Sequence, residues 1–219
     1  MALFAKQGNR GSVCGQITLP REFYCRNSET VARKLLGKKL VRKLDTHILE
    51  GIIVETEAYY GSEDPASRAH HGMKDYNRPM WMEPGKTFIY NVHRYWMLNV
   101  VAHERSKVGA VLIRAIEPTR GIEVMRRNRK VRKMSDLTNG PGKLSIALAI
   151  DKRQNGVPVT SSGSEIMIAA NEIDFETGAS HRIGVTKDLV RKLRFFIKGN
   201  GFVSRKAKVT PFVRKTRGA

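Results

Sequence analysis

Residues 39–60 read KLVRKLDTHILEGIIVETEAYY, and the fold turns on them. Two runs rich in Val, Ile and Leu, Lys39–Leu44 and Leu49–Tyr60, flank the turn residues Asp45, Thr46 and His47, which predicts an antiparallel hairpin. On an extended strand successive side chains point to opposite faces. Glu55, Glu57 and Tyr59 therefore share one face, and Val54, Thr56 and Ala58 share the other. Two carboxylates and a ring inside an apolar strand are costly to bury without a partner or a purpose. Spacing alone leaves two readings open: one glutamate pairs with a core arginine, or the face forms a pocket with a carboxylate base beside a stacking platform.

Upstream, NSETVARKLLG (27–37) predicts a helix capped by Asn27 or Ser28, with Val31, Ala32, Leu35 and Leu36 on its apolar face and Gly37 ending it. Downstream, FIYNV (88–92) and GAVLIRAIEP (109–118) read as strands, and MLNVVA between them fits strand or helix. TRGIEVMRRNRKVRK (119–133) reads as a basic helix. Pro141 opens another through GKLSIALAI, since proline's missing N–H is not needed at a helix's first position. SEIMIAA and LRFFIKG are further strand candidates. The expected organisation is one domain over 1–219, with an N-terminal extension at 1–19 and a basic tail at 205–219.

Charge narrows the function. Forty Lys and Arg against twenty Asp and Glu give a net +20, a surplus that a polyanion screens, so nucleic acid is the natural partner and a membrane surface the second choice. The surplus is clustered. Residues 119–133 hold seven basic side chains and Glu123, and residues 181–219 hold twelve and Asp188. Either run alone could be an ordinary solvated face; together they point to a surface that tracks phosphates. No apolar stretch is long enough for a membrane helix or a signal peptide. Cys14 and Cys25 lack CxxC spacing, which argues against structural zinc and fits a reducing compartment.

VETEAYYGSEDPAS, followed in order by NRPMWMEPGKTFIY, MLNVVA, VLIRAIEP, NGPGKLSIALAI and LRFFIKG, resembles the alkyladenine (3-methyladenine) DNA glycosylase family over roughly Pro20 to Ser204. The resemblance implies an α+β fold: a curved antiparallel sheet surrounded by helices, with a protruding β-hairpin that inserts into DNA, like the C-terminal domain of methionyl-tRNA formyltransferase. It implies a monofunctional enzyme that flips alkylated or deaminated purines out of double-stranded DNA and hydrolyses the N-glycosidic bond without strand cleavage. The chain would act as a monomer, without cofactor or metal, in the cytoplasm or nucleoid of a prokaryote or the nucleus of a eukaryote.

By the same resemblance Glu57 activates water, Tyr59 and Tyr90 sandwich the extruded base, Asn99 lines the pocket and Arg114 lies near the nucleotide backbone. The chemistry fits these residue types. A base inside a duplex has to be extruded to be reached, aromatic faces hold it, and a fixed carboxylate accepts the proton of the attacking water. The chain departs from the family where a pocket histidine is usual and Arg68 stands instead, with His70 and His71 beyond. Either His70 supplies the pocket contact or Arg68 meets a phosphate. At the hairpin tip, Tyr95 is the expected wedge by chemistry and His93 the second choice.

NGPGKL lacks phosphate-loop spacing, yet Lys143 at a helix start suits a DNA phosphate, against the alternative of a plain helix start. The histidines lack metal spacing, and Trp81 and Trp96 read as packing. The main competing function is a non-catalytic basic nucleic-acid-binding module, which has no need of the Glu57 and Tyr59 pair. A sugar hydrolase using Glu55 and Glu57 lacks a sugar groove.

Overall fold

The computed structural model describes residues 17–204. The extension expected over 1–19 is thus seen only from Ile17, and Cys14 and the tail expected over 205–219 lie outside the described residues. In chain order the elements are α1 (Arg21–Tyr24), α2 (Ser28–Leu35), β1 (Lys39–Leu44), β2 (His47–Tyr59), β3 (Thr87–Val92), β4 (Tyr95–Val101), β5 (Ala110–Arg120), α3 (Ile122–Arg129), α4 (Pro141–Ala147), β6 (Ile166–Ala169), β7 (Thr177–Ser180) and β8 (Arg194–Ile197).

The hairpin expected from residues 39–60 is β1 and β2, paired from Lys39↔Ile52 to Leu44↔His47. Its turn has Asp45 at φ 50°, a left-handed conformation that aspartate tolerates better than most residues. All strand pairs are antiparallel, in the order β3-β4-β5-β2-β1-β6. Beyond Ile52, where the pairing with β1 stops, β8 takes over that edge of β2 at Glu55, Thr56 and Glu57, and β7 pairs outside β8. Register shifts between β2 and β5 fall at Glu50/Gly51, Ile53/Glu55 and Glu55/Thr56. Irregularities of this kind bend a strand and re-aim its side chains, and the sheet curls into a half-barrel.

α2 packs against β2 and β5, and α4 against β4 and β5. Asn27 caps α2 by accepting from the Glu29 N–H, and Val31, Ala32 and Leu35 are fully buried against β2. Burying Val31 and Leu35 contributes about 1.5–3 kcal/mol each. Thr56 meets this helix by donating to the Ala32 carbonyl at 2.8 Å, and Val54 and Ala58 join the same core. The alternation read from VETEAY therefore holds, with Val54, Thr56 and Ala58 under α2 and the carboxylates on the opposite face.

The ambiguous MLNVVA lies in a strand, because β4 is paired on one side by β3 and on the other by β5. The basic helix expected over 119–133 is shorter: β5 runs through Arg120, Gly121 turns the chain at φ 73°, and Lys130 ends α3 at φ 53°. α4 begins at Pro141 as expected and buries Leu144, Ser145 and Ala147. β7, TGAS, carries no apolar alternation by which its sequence would announce a strand.

Candidate active site

β2 carries two glutamates to one buried place, and β5 brings Arg114 between them. Arg114 donates from Nε to Glu55 Oε1 at 2.8 Å, from Nη1 to Glu57 Oε2 at 3.1 Å, and from Nη2 to Ser204 Oγ at 3.3 Å. Both glutamates have no exposed surface, so the expectation that an arginine pairs with one of them is met for both. Arg114 itself is ion-paired and buried.

The rest of their surroundings separates the two. Glu55 also accepts from Arg194 Nε at 2.6 Å, from the Ser204 N–H at 2.7 Å and from Ser204 Oγ at 2.7 Å. Burial alone would push its pKa up, but Arg114 and Arg194 outweigh that and hold it below the ordinary carboxylate value. Glu57 accepts from Arg114, from the Tyr59 hydroxyl at 2.8 Å and from the Ile183 N–H at 2.8 Å. Here burial wins over Arg114 and the hydrogen bonds, and the pKa is raised. The two carboxylates are thus shifted in opposite directions, Glu55 toward its anion and Glu57 toward its protonated form.

The three groups that cover Glu57, namely Arg114, Tyr59 and Ile183, all line a cleft of about 610 Å³. Tyr90 and Arg68 line it too, and Tyr59, Tyr90, Arg68 and Asn99 also meet around a small adjoining void. A groove of about 760 Å³ between α2 and residues 171–175 is larger, but none of the groups hydrogen-bonded to Glu57 lines it, so size does not decide where chemistry occurs.

Tyr59 is held by a network that sequence reading missed. The Arg182 guanidinium sits 4.5 Å from the centroid of its ring. Arg182 is itself clamped by Asp64 at 2.7 Å twice, by Asp188 at 2.9 and 2.6 Å, and by the Ala58 carbonyl at 2.9 Å. The available signal was Asp188, the single acid in the basic 181–219 run. Asp64 likewise stands in the EDPAS stretch, and it accepts from the backbone N–H groups of Tyr60 and Ala66.

The other expected residues fall as follows. Asn99 is buried and donates to the Phe88 and Met97 carbonyls, both at 3.0 Å. His70 lines the cleft and its Nδ1 lies 2.6 Å from the Ser62 carbonyl, with the His71 ring 4.6 Å away. Arg68 is exposed and lies 4.8 Å from the Tyr90 centroid. Lys143 donates to Asn139 Oδ1 at 2.7 Å and lies 3.7 Å from Asp136.

The β3–β4 turn does not have Tyr95 at its tip, as the choice of that residue for the wedge requires. Val92 pairs with Tyr95, which leaves His93 and Arg94 as the turn, both exposed and His93 at φ 55°. The Tyr95 ring instead lies against Gly142, where a Cβ would approach its Cγ to 2.9 Å. Among the described residues, no group of three or more His, Cys, Asp or Glu is placed to hold a metal ion.

The sequence profile of the family described as methylpurine-DNA glycosylase matches residues 22–201, the span that contains every group named above except Ser204. The chain belongs to the methylpurine-DNA glycosylase family. A protein of Aeropyrum pernix is 41% identical over 196 residues, covering 88% of this chain and 95% of that one. One of Mesorhizobium japonicum is 42% identical over 179 residues, covering 81% and 86%. One of Clostridium perfringens is 40% identical over 206 residues, covering 86% and 99%. Each carries the name "Putative 3-methyladenine DNA glycosylase". Within this methylpurine-DNA glycosylase family member, the cleft joins β2, β3 and β5 to the loop after β7, and its lining spans Tyr59 to Lys187 in the sequence.

Proposed function

We propose that the protein is a monofunctional DNA glycosylase that extrudes an alkylated or deaminated purine from double-stranded DNA and hydrolyses its N-glycosidic bond. The observation that carries this is the hydrogen bond from Tyr59 to the buried Glu57, beside a cleft that Tyr59 and Tyr90 both line. The base stacks between the two rings, which places its sugar near Glu57. The carboxylate accepts the proton of a water whose oxygen bonds to C1′, while the C1′–N bond breaks and its electron pair leaves with the base. Arg114 has its nitrogens engaged by Glu55, Glu57 and Ser204, which favours a role in positioning the carboxylates over a contact with the nucleotide backbone. His93, on the two-residue turn, is the better wedge, because Tyr95 is occupied with Gly142. Asn99 and His70 shape the pocket, and Lys143 meets a phosphate if it leaves Asn139. The chain acts as a monomer in the compartment that holds the chromosome, with no membrane partner.

A non-catalytic, formyltransferase-like binding module would use the same basic surface but gains nothing from a carboxylate held at a raised pKa beside a stacking ring. The test is release of free base from methylated duplex DNA. Wild type releases it, and Glu57→Gln, which keeps size and loses the base, releases it at least ~100-fold more slowly while still binding DNA. Near wild-type turnover in Glu57→Gln overturns the assignment, and absence of release by wild type favours the binding module. Lys187 lines the cleft, so the same assay is read for strand cleavage, which the monofunctional reading excludes.

A further inference from the structure

Arg68, which lines the cleft, is placed unlike Arg114 beside it and Arg182 behind Tyr59. Arg114 is matched by Glu55 and Glu57, and Arg182 by Asp64 and Asp188. Arg68 has no carboxylate partner among the described residues, and its guanidinium carbon lies 4.8 Å from the centroid of Tyr90. The cleft lining contains no Asp or Glu, while Lys187 adds a second cation at its wall. A base that stacks on Tyr90 therefore has to share the ring with, or displace, an uncompensated positive charge.

We propose that Arg68 determines which lesion is accepted: it favours neutral purines with acceptor atoms on the ring edge, such as the 6-oxopurine formed by deamination of adenine, over permanently cationic N-alkylated purines. This rests on the glycosylase reading above and narrows its substrate class. A cationic base meets a like charge at close range and competes with Arg68 for the electron-rich ring face. A neutral 6-oxopurine offers oxygen and nitrogen acceptors to a planar fork of N–H donors.

The same contact addresses a chemical problem that only the neutral base poses. An N-alkylated purine leaves as a neutral molecule, whereas a neutral purine leaves with the electron pair of the C1′–N9 bond and becomes an anion. Guanidinium hydrogen bonds to its edge stabilise that charge as it develops. Water oxygen bonds to C1′, its proton passes to Glu57, and the departed anion takes a proton from solvent.

The experiment measures single-turnover release of hypoxanthine and of 7-methylguanine from otherwise identical duplexes by wild type and Arg68→Gln. Wild type is expected to release hypoxanthine, and Arg68→Gln to lower the ratio of hypoxanthine to 7-methylguanine release by about tenfold or more, given what one positioned donor to a developing anion contributes. Arg68→Lys, which keeps the charge and loses the planar fork, should fall between them. If Arg68→Gln changes both rates by the same factor, or neither, Arg68 does not select the base and the inference falls while the glycosylase reading stands. Release of 7-methylguanine without hypoxanthine by wild type has the same meaning. Release of neither base by wild type overturns the glycosylase reading and this inference with it.

Discussion

Glu55 and Glu57 are two residues apart on one strand face, and their environments give them opposite linkage to pH. The Glu55 pKa is depressed, so its contribution to stability is present above its unfolded value and is lost as pH falls through the folded one. The Glu57 pKa is raised, so the protein favours its protonated form, and that contribution is lost as pH rises through the folded value. Glu55→Gln leaves Arg114 and Arg194 short of an anion in a buried place and should cost about 3–5 kcal/mol in urea unfolding. Glu57→Gln should be much milder at neutral pH. The excision rate of wild type should fall on acidification through a pH above the ordinary glutamate range, because Glu57 has to be ionised to accept a proton. Equal destabilisation by the two variants would show that their roles are not separated. At this scale the sequence was informative where strand alternation applied, placing Glu55, Glu57 and Tyr59 together. It was silent on the Arg182 pairing with Asp64, because Asp188 is the one local acid in HRIGVTKD and nothing there indicates that the arginine also returns to Asp64, 118 residues away.

The β3–β4 hairpin makes the case at the level of an element. β3 was readable from its apolar residues and β4 only as strand or helix, and the turn position depended on register, which one residue of slip reverses. Pairing of Val92 with Tyr95 puts His93 and Arg94 at the tip, and the close approach of α4 at Gly142 draws the Tyr95 ring onto the protein. We therefore expect His93→Ala to reduce excision from duplex DNA far more than release of the same base from single-stranded DNA, where no stacking gap needs filling. Tyr95→Ser should lower both together, as a packing defect would. A duplex-specific loss in Tyr95→Ser alone would restore the tyrosine as the wedge. β7 was not readable for a different reason: TGAS has one buried glycine and no large apolar side chain, and it is a strand because β8 offers it an unpaired edge.

For the whole molecule the deciding quantity is the net +20. Not all of it is available to DNA. On and after α3, Arg126 donates to Met134 Sδ and Arg129 to the Asp136 carbonyl at 3.2 Å, whereas Arg127, Lys130, Arg132 and Lys133 are open to solvent to differing degrees. α3 packs on α4, whose Pro141 lines the cleft. Reversing the charge of Arg127, Lys130 and Lys133 should flatten the dependence of log K on log salt by roughly one unit for each phosphate that the protein no longer neutralises. An unchanged slope in a filter-binding titration would place this helix away from the nucleic acid.

The knot around Glu55 and Glu57 also orders events in time. Arg194 reaches Glu55 across 139 residues, Ser204 reaches it across 149, and Ile183 reaches Glu57 across 126. Contacts so distant in the chain are closed late, since loop entropy has to be overcome before they form. While the polypeptide is still emerging from the ribosome, β2 can pair with β1 and β5, but its two acids have only Arg114 between them. The last strand therefore both pairs with β2 and neutralises the buried acid beside it, so that the charge balance of the sheet is completed by β8 and the residues just after it.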